Sequence, residues 1–375
     1  MKVLITGADG FIGKNLCLRL AEYSSVEVVS FTRRNEKHEL PLLLQGVDFV
    51  YHLAGVNRPQ NPDEFIDGNS ELTRILCDGI ASVARTSGRK IPLLLTSSIH
   101  AAKDTPYGNS KRIAEDYVVK IARDYDIPIY ICRLPGVFGK WARPNYNSVV
   151  ATFCYNVAHN LPINIDNPDY AISLVYIDDV INVFSKLLND DASTVGDDNF
   201  LKVTPVYEIT VGQLATAIQG FKTSRDSLIM DRVGSGLTRA LYSTFISYIP
   251  TKDFSYSIPE YKDPRGSFVE VIKTRDSGQF SYFTAHPGVT RGGHYHHTKT
   301  EKFLVIKGTA RFRFRHMLTN ESYELVTSEA RTEIVETIPG WSHDVTNIGE
   351  EELVALVWAN ENFDRNNPDT IASTL

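Results

Sequence analysis

Along the first half of the chain, short apolar runs alternate with longer stretches of helical periodicity. Lys2–Thr6 (KVLIT), Val26–Phe31 (VEVVSF), Asp48–Tyr51 (DFVY), Ile91–Thr96 (IPLLLT) and Ile129–Arg133 (IYICR) are short and rich in β-branched or aromatic side chains. Between them, Ile12–Tyr23, Pro62–Thr86 and Ser110–Tyr125 read as helices. Strands alternating with helices predict a parallel sheet joined by right-handed crossovers. The near-continuous apolar character of the strands predicts burial on both faces.

The texture changes from about Tyr242. Helical periodicity gives way to short alternating segments at Phe268–Lys273, Phe280–Thr284, Lys302–Ile306, Ala310–Arg315, Thr332–Ile338 and Leu353–Asn360. Glycines and prolines punctuate them, as in Pro287-Gly288 and Pro339-Gly340. Evenly spaced short strands predict an all-β barrel or jelly roll. The boundary is expected between Tyr242 and Tyr256, giving an α/β domain over 1–245 and an all-β domain over 250–375. A length of 375 residues, with 42% hydrophobic and 22% charged residues, supports two soluble cores.

The net charge of −6 argues against nucleic acid or an anionic membrane as partner. Cys17, Cys77, Cys132 and Cys154 are far apart and form no C-x-x-C pair, so neither a disulfide framework nor a thiolate metal site is expected. Met1–Gly13 runs straight into strand and loop, and no apolar stretch approaches bilayer length. The expected compartment is the cytoplasm.

Candidate chemistry starts at Thr6-Gly7-Ala8-Asp9-Gly10-Phe11-Ile12-Gly13, which follows the first strand and opens the first helix. Gly7 permits a tight turn, Gly10 lets backbone N–H groups approach a pyrophosphate, and Gly13 lets helix pack on strand. With Phe11 and Ile12 at the helix start, this loop is a dinucleotide site whose helix N-terminus attracts phosphate. At the end of the second strand, Thr32-Arg33-Arg34 offers two guanidiniums and no acid, which favours the 2′-phosphate of NADP(H) over the bare ribose of NAD.

Further on, Thr96-Ser97-Ser98 ends the fourth strand, and Tyr107-Gly108-Asn109-Ser110-Lys111 opens the next helix. Tyr107 and Lys111, four residues apart, share a helix face. An ammonium beside a phenol favours the phenolate, so Tyr107 can serve as acid to a carbonyl oxygen as hydride arrives. Lys111 would hold the nicotinamide ribose and tune Tyr107, and Ser98 would hydrogen-bond the carbonyl, with Ser97 as its rival. Together with Tyr51-His52-Leu53-Ala54-Gly55, Arg133-Leu134-Pro135-Gly136 and Val175-Tyr176-Ile177-Asp178-Asp179-Val180, these motifs resemble the extended short-chain dehydrogenase/reductase family over about Met1–Leu241. The resemblance implies a Rossmann-type fold and nucleotide-sugar substrates. It also implies that Leu53 and Ala54 line the cofactor, that Pro135 lies near the nicotinamide, and that 145–148 face the sugar nucleotide.

A second constellation, Gly288-x5-His294-x-His296-x4-Glu301-x6-Gly308, precedes Pro339-Gly340-x2-His343-x3-Asn347. Histidines two apart on a strand point to one face. Six of the ten histidines fall after residue 285. Imidazoles with a carboxylate suit zinc or another divalent transition metal. Both spacings resemble the cupin superfamily, which implies His294, His296, Glu301 and His343 as ligands. Asp263-Pro264-Arg265-Gly266-Ser267-Phe268 also looks like the opening of cupin-type sugar-nucleotide 3,5-epimerases, in which an arginine contacts the diphosphate.

The whole chain resembles the CapF-type family of bifunctional enzymes of capsular and O-antigen polysaccharide synthesis. The likeness rests on Tyr242-Ser243-Thr244, Asp253-Phe254-Ser255-Tyr256, Lys140-Trp141, Pro144-Asn145-Tyr146-Asn147-Ser148 and Gly293-His294-Tyr295-His296-His297-Thr298-Lys299. It implies an α/β reductase followed by a zinc cupin, acting as a homodimer on a UDP-linked 4-keto-6-deoxy amino sugar. C3 epimerisation by the cupin would precede NADPH-dependent C4 reduction.

Overall fold

The computed structural model describes residues 1–61, 63–189, 199–364, 366 and 368–375. The chain divides into two compact units: one of 1–218 with 240–249, the other of 219–239 with 250–375.

In the first unit, β1 (Lys2–Thr6), β2 (Glu27–Phe31), β3 (Phe49–His52), β4 (Leu93–Ser98) and β5 (Ile129–Leu134) form a wholly parallel sheet in the order β2-β1-β3-β4-β5. Its strands are rich in Val, Ile and Leu because both faces are covered: Val3, Leu4, Ile5, Val50, Leu93 and Leu95 are fully or almost fully buried. The order changes direction between β1 and β3, and ligands of open α/β sheets bind at the carboxyl ends of strands flanking such a reversal. A smaller sheet holds β6 (Gly136–Phe138), β7 (Ala171–Tyr176) and β8 (Tyr207–Thr210).

The expected Ile12–Tyr23 helix runs Phe11–Leu20. The stretch expected as one helix over Pro62–Thr86 is interrupted, since a π-helical segment Ile66–Glu71 leads into Leu72–Ser87. The stretch read as helical over Ser110–Tyr125 lies in a helix that begins at Pro106, which Tyr107-Gly108-Asn109-Ser110-Lys111 opens as expected. There Thr105 caps it, its hydroxyl accepting from Gly108 N at 3.0 Å, and Pro106 occupies a position where no N–H is needed. Tyr107 therefore sits in the first turn.

In the second unit, β9 (Ile229–Met230) pairs in parallel with a later strand, β11 (Gly266–Thr274). Ion pairs Arg275–Asp231 and Arg232–Asp276 hold the same segment. This is why 219–239 groups with the second unit despite its helical texture. The remaining strands are β10 (Glu260–Asp263), β11 (Gly266–Thr274), β12 (Gln279–Ala285), β13 (Thr290–Tyr295), β14 (Glu301–Lys307), β15 (Thr309–His316), β16 (Ser322–Ser328), β17 (Val335–Glu336), β18 (Trp341–Asn347), β19 (Leu353–Ala359) and β20 (Ile371–Ala372). The strand expected over Thr332–Ile338 is reduced to the two residues of β17.

These strands make two sheets, β10-β11-β12-β19-β14-β17 and β16-β15-β18-β13-β20. Phe283, Phe303, Val305 and Val357 of the first meet Phe312, Phe314 and Val345 of the second in one core. The architecture is thus an α/β Rossmann-type unit and an all-β double-sheet unit. No helix among the described residues is long and apolar enough to cross a membrane.

Phe312 is almost fully buried at the centre of that second core. Phe312→Ala is expected to cost about 3–5 kcal/mol, read as an earlier urea transition by intrinsic fluorescence. An unchanged transition would show that this core does not hold the unit together.

Candidate functional site

At the carboxyl end of β1, Gly7 turns with φ +72°, and a Cβ there would lie 2.7 Å from Ala54 N. Only glycine fits this approach. A Cβ on Gly13 would meet Gly7 O at 2.2 Å, so the helix packs directly on the turn. Gly10 is the N-cap and brings no side-chain cap, and its own N–H donates to Gly7 O at 2.9 Å. The N–H groups of Phe11, Ile12 and Gly13 have no acceptor within the helix. They form an open, partly positive cradle beside Leu53 and Ala54, and this donor set fits a diphosphate.

Next to it, Gly7 N donates to Phe31 O, tying the turn to the end of β2. Thr32 is half-buried, and Asn35 fixes the turn by accepting from Thr32 N at 2.9 Å. Arg33 and Arg34 are exposed and form no ion pair among the described residues.

The Tyr107 ring is half-buried, packing on Phe65 at a centroid distance of 5.6 Å. Burial raises its pKa, and a hydrogen bond with the Ser98 side chain opposes that rise. Lys111 is 7% exposed. Burial lowers its pKa to about 8, against a raising influence from Glu115. Its Nζ donates to Thr96 O at 3.2 Å. Gly55 leaves room for it, since a Cβ there would lie 3.0 Å from Nζ.

Adjacent strand residues face opposite ways, and this separates the two candidate serines. Ser98 interacts with Tyr107, whereas the Ser97 hydroxyl donates to Glu115 Oε1 at 2.5 Å. His52 is fully buried between Thr6 Oγ1 (2.6 Å) and Thr73 Oγ1 (2.8 Å), and burial lowers its pKa to about 3. It is a neutral packing residue. Pro135 is half-buried between β5 and β6. Of the segment 145–148, Ser148 has a local task, capping the Val149–Ala158 helix by accepting from Ala151 N.

Sequence reasoning overlooked Asn69 and Glu115. Asn69, in the π-helical segment, accepts from Val56 N and donates to Val56 O and Ser110 Oγ. Glu115 had one readable signal, its place four residues after Lys111 on the same helix face.

In the second unit, His294, His296, Glu301 and His343 converge, with one ligand atom from each lying within 4.8 Å of the others. The two histidines do not share a regular strand as expected. A bulge falls between Gly292 (φ +89°) and His294, and β13 ends at Tyr295, so His296 lies just beyond it. The two rings nevertheless lie 5.0 Å apart. His297 points away and is exposed.

Nδ1 of His296 meets Asp369 O, and Nδ1 of His343 lies 3.5 Å from Trp341 O. With Nδ1 donating, each ring turns an unprotonated Nε2 toward Glu301. Those nitrogens lie 3.4 and 3.3 Å from Glu301 Oε2. The His343 contact lacks hydrogen-bond direction, leaving its Nε2 buried without a hydrogen-bond partner. Lone pairs facing a carboxylate oxygen call for a cation between them. Donors about 2.1 Å from a tetrahedral ion lie about 3.4 Å apart, so the residues fit a divalent metal.

Burial opposes ionisation of Glu301, while the Lys299 ammonium beside it favours the carboxylate. Burial and the neighbouring imidazoles lower His294 to about 4, so it stays neutral and able to ligate. Asp369, also overlooked, accepts the backbone N–H groups of His297, Thr298 and Lys299 and fixes the loop between the ligands. Arg265 is exposed and paired with Asp263 at 2.6 Å.

Comparison with known proteins extends this geometry. Residues 261–371 match the family described as polysaccharide biosynthesis C-terminal domain. A Pseudomonas aeruginosa protein named UDP-2-acetamido-2,6-beta-L-arabino-hexul-4-ose reductase is 57% identical over all of this chain and 99% of its own length. The crystal structure of capsular polysaccharide assembling protein CapF from Staphylococcus aureus is 37% identical and superimposes with a TM-score of 0.90 over the whole of both chains. The crystal structure of a Bacillus cereus UDP-glucuronic acid 4-epimerase, 18% identical, covers 66% of this chain and 98% of its own with a TM-score of 0.56, a likeness of fold. Residues 3–200 of the 375 match a family that the glycine turn and parallel sheet already point to: the chain belongs to the NAD dependent epimerase/dehydratase family.

Proposed function

We propose that this chain is a bifunctional nucleotide-sugar enzyme. Its second unit inverts C3 of a UDP-2-acetamido-2,6-dideoxy-4-keto-hexose. Its first unit then reduces C4 with NADPH, giving UDP-2-acetamido-2,6-dideoxy-L-talose, a precursor of UDP-N-acetyl-L-fucosamine. It acts in the cytoplasm as a homodimer, with zinc in its cupin.

The observation that carries the reductase reading is the buried Lys111 behind Tyr107, with Ser98 beside the phenol and an uncapped helix end at the neighbouring strand. The nicotinamide supplies the hydride. Ser98 and Tyr107 hold the carbonyl oxygen, and Tyr107 gives it a proton as charge develops there. Lys111 holds the ribose and keeps positive charge under the phenol. Phe11, Ile12 and Gly13 cradle the diphosphate, Leu53, Ala54 and Pro135 line the cofactor, and Arg33 with Arg34 takes the 2′-phosphate. The relative's printed name, with its ketone at C4, supports the substrate class.

The epimerase reading is supported by four convergent metal-ligating side chains, two of them histidines whose Nδ1 contacts aim Nε2 at Glu301. His294, His296, Glu301 and His343 would hold a divalent ion. Bound there, it supplies a Lewis acid that stabilises the charge formed when the C3 proton leaves. The C4 ketone makes that proton acidic, so inversion comes before reduction. The relative is named only as a reductase, which favours a second reading: a plain C4 reductase whose cupin serves binding or dimerisation.

Tyr107→Phe is expected to lower NADPH oxidation with the 4-keto substrate by about 10²-fold or more while the protein stays folded by circular dichroism. Retained turnover would remove Tyr107 as the acid. Arg33→Ala should raise KM for NADPH by about tenfold and leave KM for NADH nearly unchanged, since one charge-assisted contact is worth about 1.5–3 kcal/mol. Equal effects on both cofactors would remove the 2′-phosphate contact.

A further inference from the structure

The Pro106–Tyr125 helix buries a carboxylate, Glu115, against the sheet of the first unit. Glu115 is 4% exposed and sits one turn beyond Lys111. It ties three elements together. Its Oε1 accepts from the Ser97 hydroxyl on β4 at 2.5 Å and from Arg133 Nε on β5 at 2.9 Å. Its Oε2 accepts from Arg133 Nη2 at 2.5 Å. Ser97 and Arg133 stand opposite each other in the parallel ladder, so the carboxylate closes over a single rung.

That rung adjoins both groups of the reductase site. Thr96, before Ser97, gives its carbonyl to Lys111 Nζ, and Ser98, after it, interacts with Tyr107. We propose that Glu115 is a positioning residue for the reduction: it locks the Thr96-Ser97-Ser98 strand end and places a buried negative charge one helical turn from the Lys111 ammonium. The inference rests on the reductase reading given above.

The chemistry requires such a group. A buried ammonium with one carbonyl acceptor leaves donors unmet, and burial alone drives it toward the neutral amine. Glu115 opposes this, raising the Lys111 pKa. The other polar groups on the packed elements do not replace it. His52 on β3 is neutral and supplies no negative charge, since burial and then the Lys111 ammonium hold it unprotonated. Asn69 in the π-helical segment carries no charge. His100 lies beside Tyr107, with rings 6.3 Å apart. Arg133 is itself a cation. Asp63, Glu64 and Asp67 are exposed, and Glu71, Arg74 and Asp78 pair among themselves on the outer side of the Leu72–Ser87 helix. Within the Pro106–Tyr125 helix, Arg112 is held by Asn109.

The test is the pH profile of NADPH oxidation by full-length wild type, E115Q and E115D with the 4-keto substrate, alongside NADPH titrations followed by fluorescence without substrate. Reduction needs Lys111 charged, so its loss above pH 8 defines an alkaline limb. Removing the Glu115 charge lowers the Lys111 pKa further and moves that limb to lower pH. E115Q should therefore lose about fivefold more activity, relative to wild type, at pH 8.5 than at pH 6.5, as a shift of about one pKa unit gives. NADPH binding should weaken with the same pH bias.

E115D keeps the charge and should restore the position of the limb, even with a lower kcat. A residue that only packs would lower kcat equally at every pH, and an unmoved limb in E115Q overturns the proposal. Should E115Q not fold, an E115D limb shifted acidward would overturn it equally. A wild type that binds NADPH but never oxidises it would sink the reductase reading instead, and the binding titrations would still decide the role of Glu115.

Discussion

Burying an ammonium in a protein interior is costly unless something nearby prefers it charged. Lys111 is such an ammonium, and much of the first unit is organised around it. Gly55 withholds a side chain to give it space, Thr96 turns a carbonyl to it, and His52 is held neutral between two threonine hydroxyls nearby. The Thr105 cap and Pro106 start the helix early enough for Tyr107 and Lys111 to share its first turns. The Gly7 turn, pressed against Ala54, then sets an open helix end at the adjoining strand. A cofactor held there by its diphosphate would reach the phenol through its ribose.

The second unit solves the opposite problem, a carboxylate buried with lone pairs around it. The Lys299 ammonium favours the ionised form of Glu301, and the four convergent donors form an arrangement that fits a cation among them. Its rigidity comes from outside the cluster. Asp369 captures three successive N–H groups of the loop between His296 and Glu301, while backbone carbonyls set the direction of two histidine rings. Ligands oriented in this way bind metal without reorganisation.

The local parts of this architecture were legible in the sequence. Apolar runs gave the five parallel strands, the glycine spacing gave the turn, and offsets of two and four residues gave the histidine pair and the Tyr107/Lys111 face. What escaped depended on contacts distant in sequence. Asn69 works from a π-helical turn that helical periodicity does not announce, and Asp369 acts across about seventy residues on a backbone loop. Ser97 and Ser98 could not be separated until pleating sent one to Glu115 and the other to Tyr107. The segment 219–239 reads as helix and turn, yet a two-residue parallel pairing and two ion pairs commit it to the all-β unit.

Under the proposed function, the order of the two chemistries would follow from the substrate: the C3 proton is acidic only while C4 remains a ketone. The most direct test is an NMR time course in D₂O with the UDP-linked 4-keto sugar, the zinc-loaded wild type and no NADPH. Deuterium appearing at C3, and failing to appear with His343→Ala, is the predicted result, with the reduced talo product forming once NADPH is added. NADPH consumption without any C3 exchange would contradict the account and leave a C4 reductase carrying a non-catalytic metal cupin.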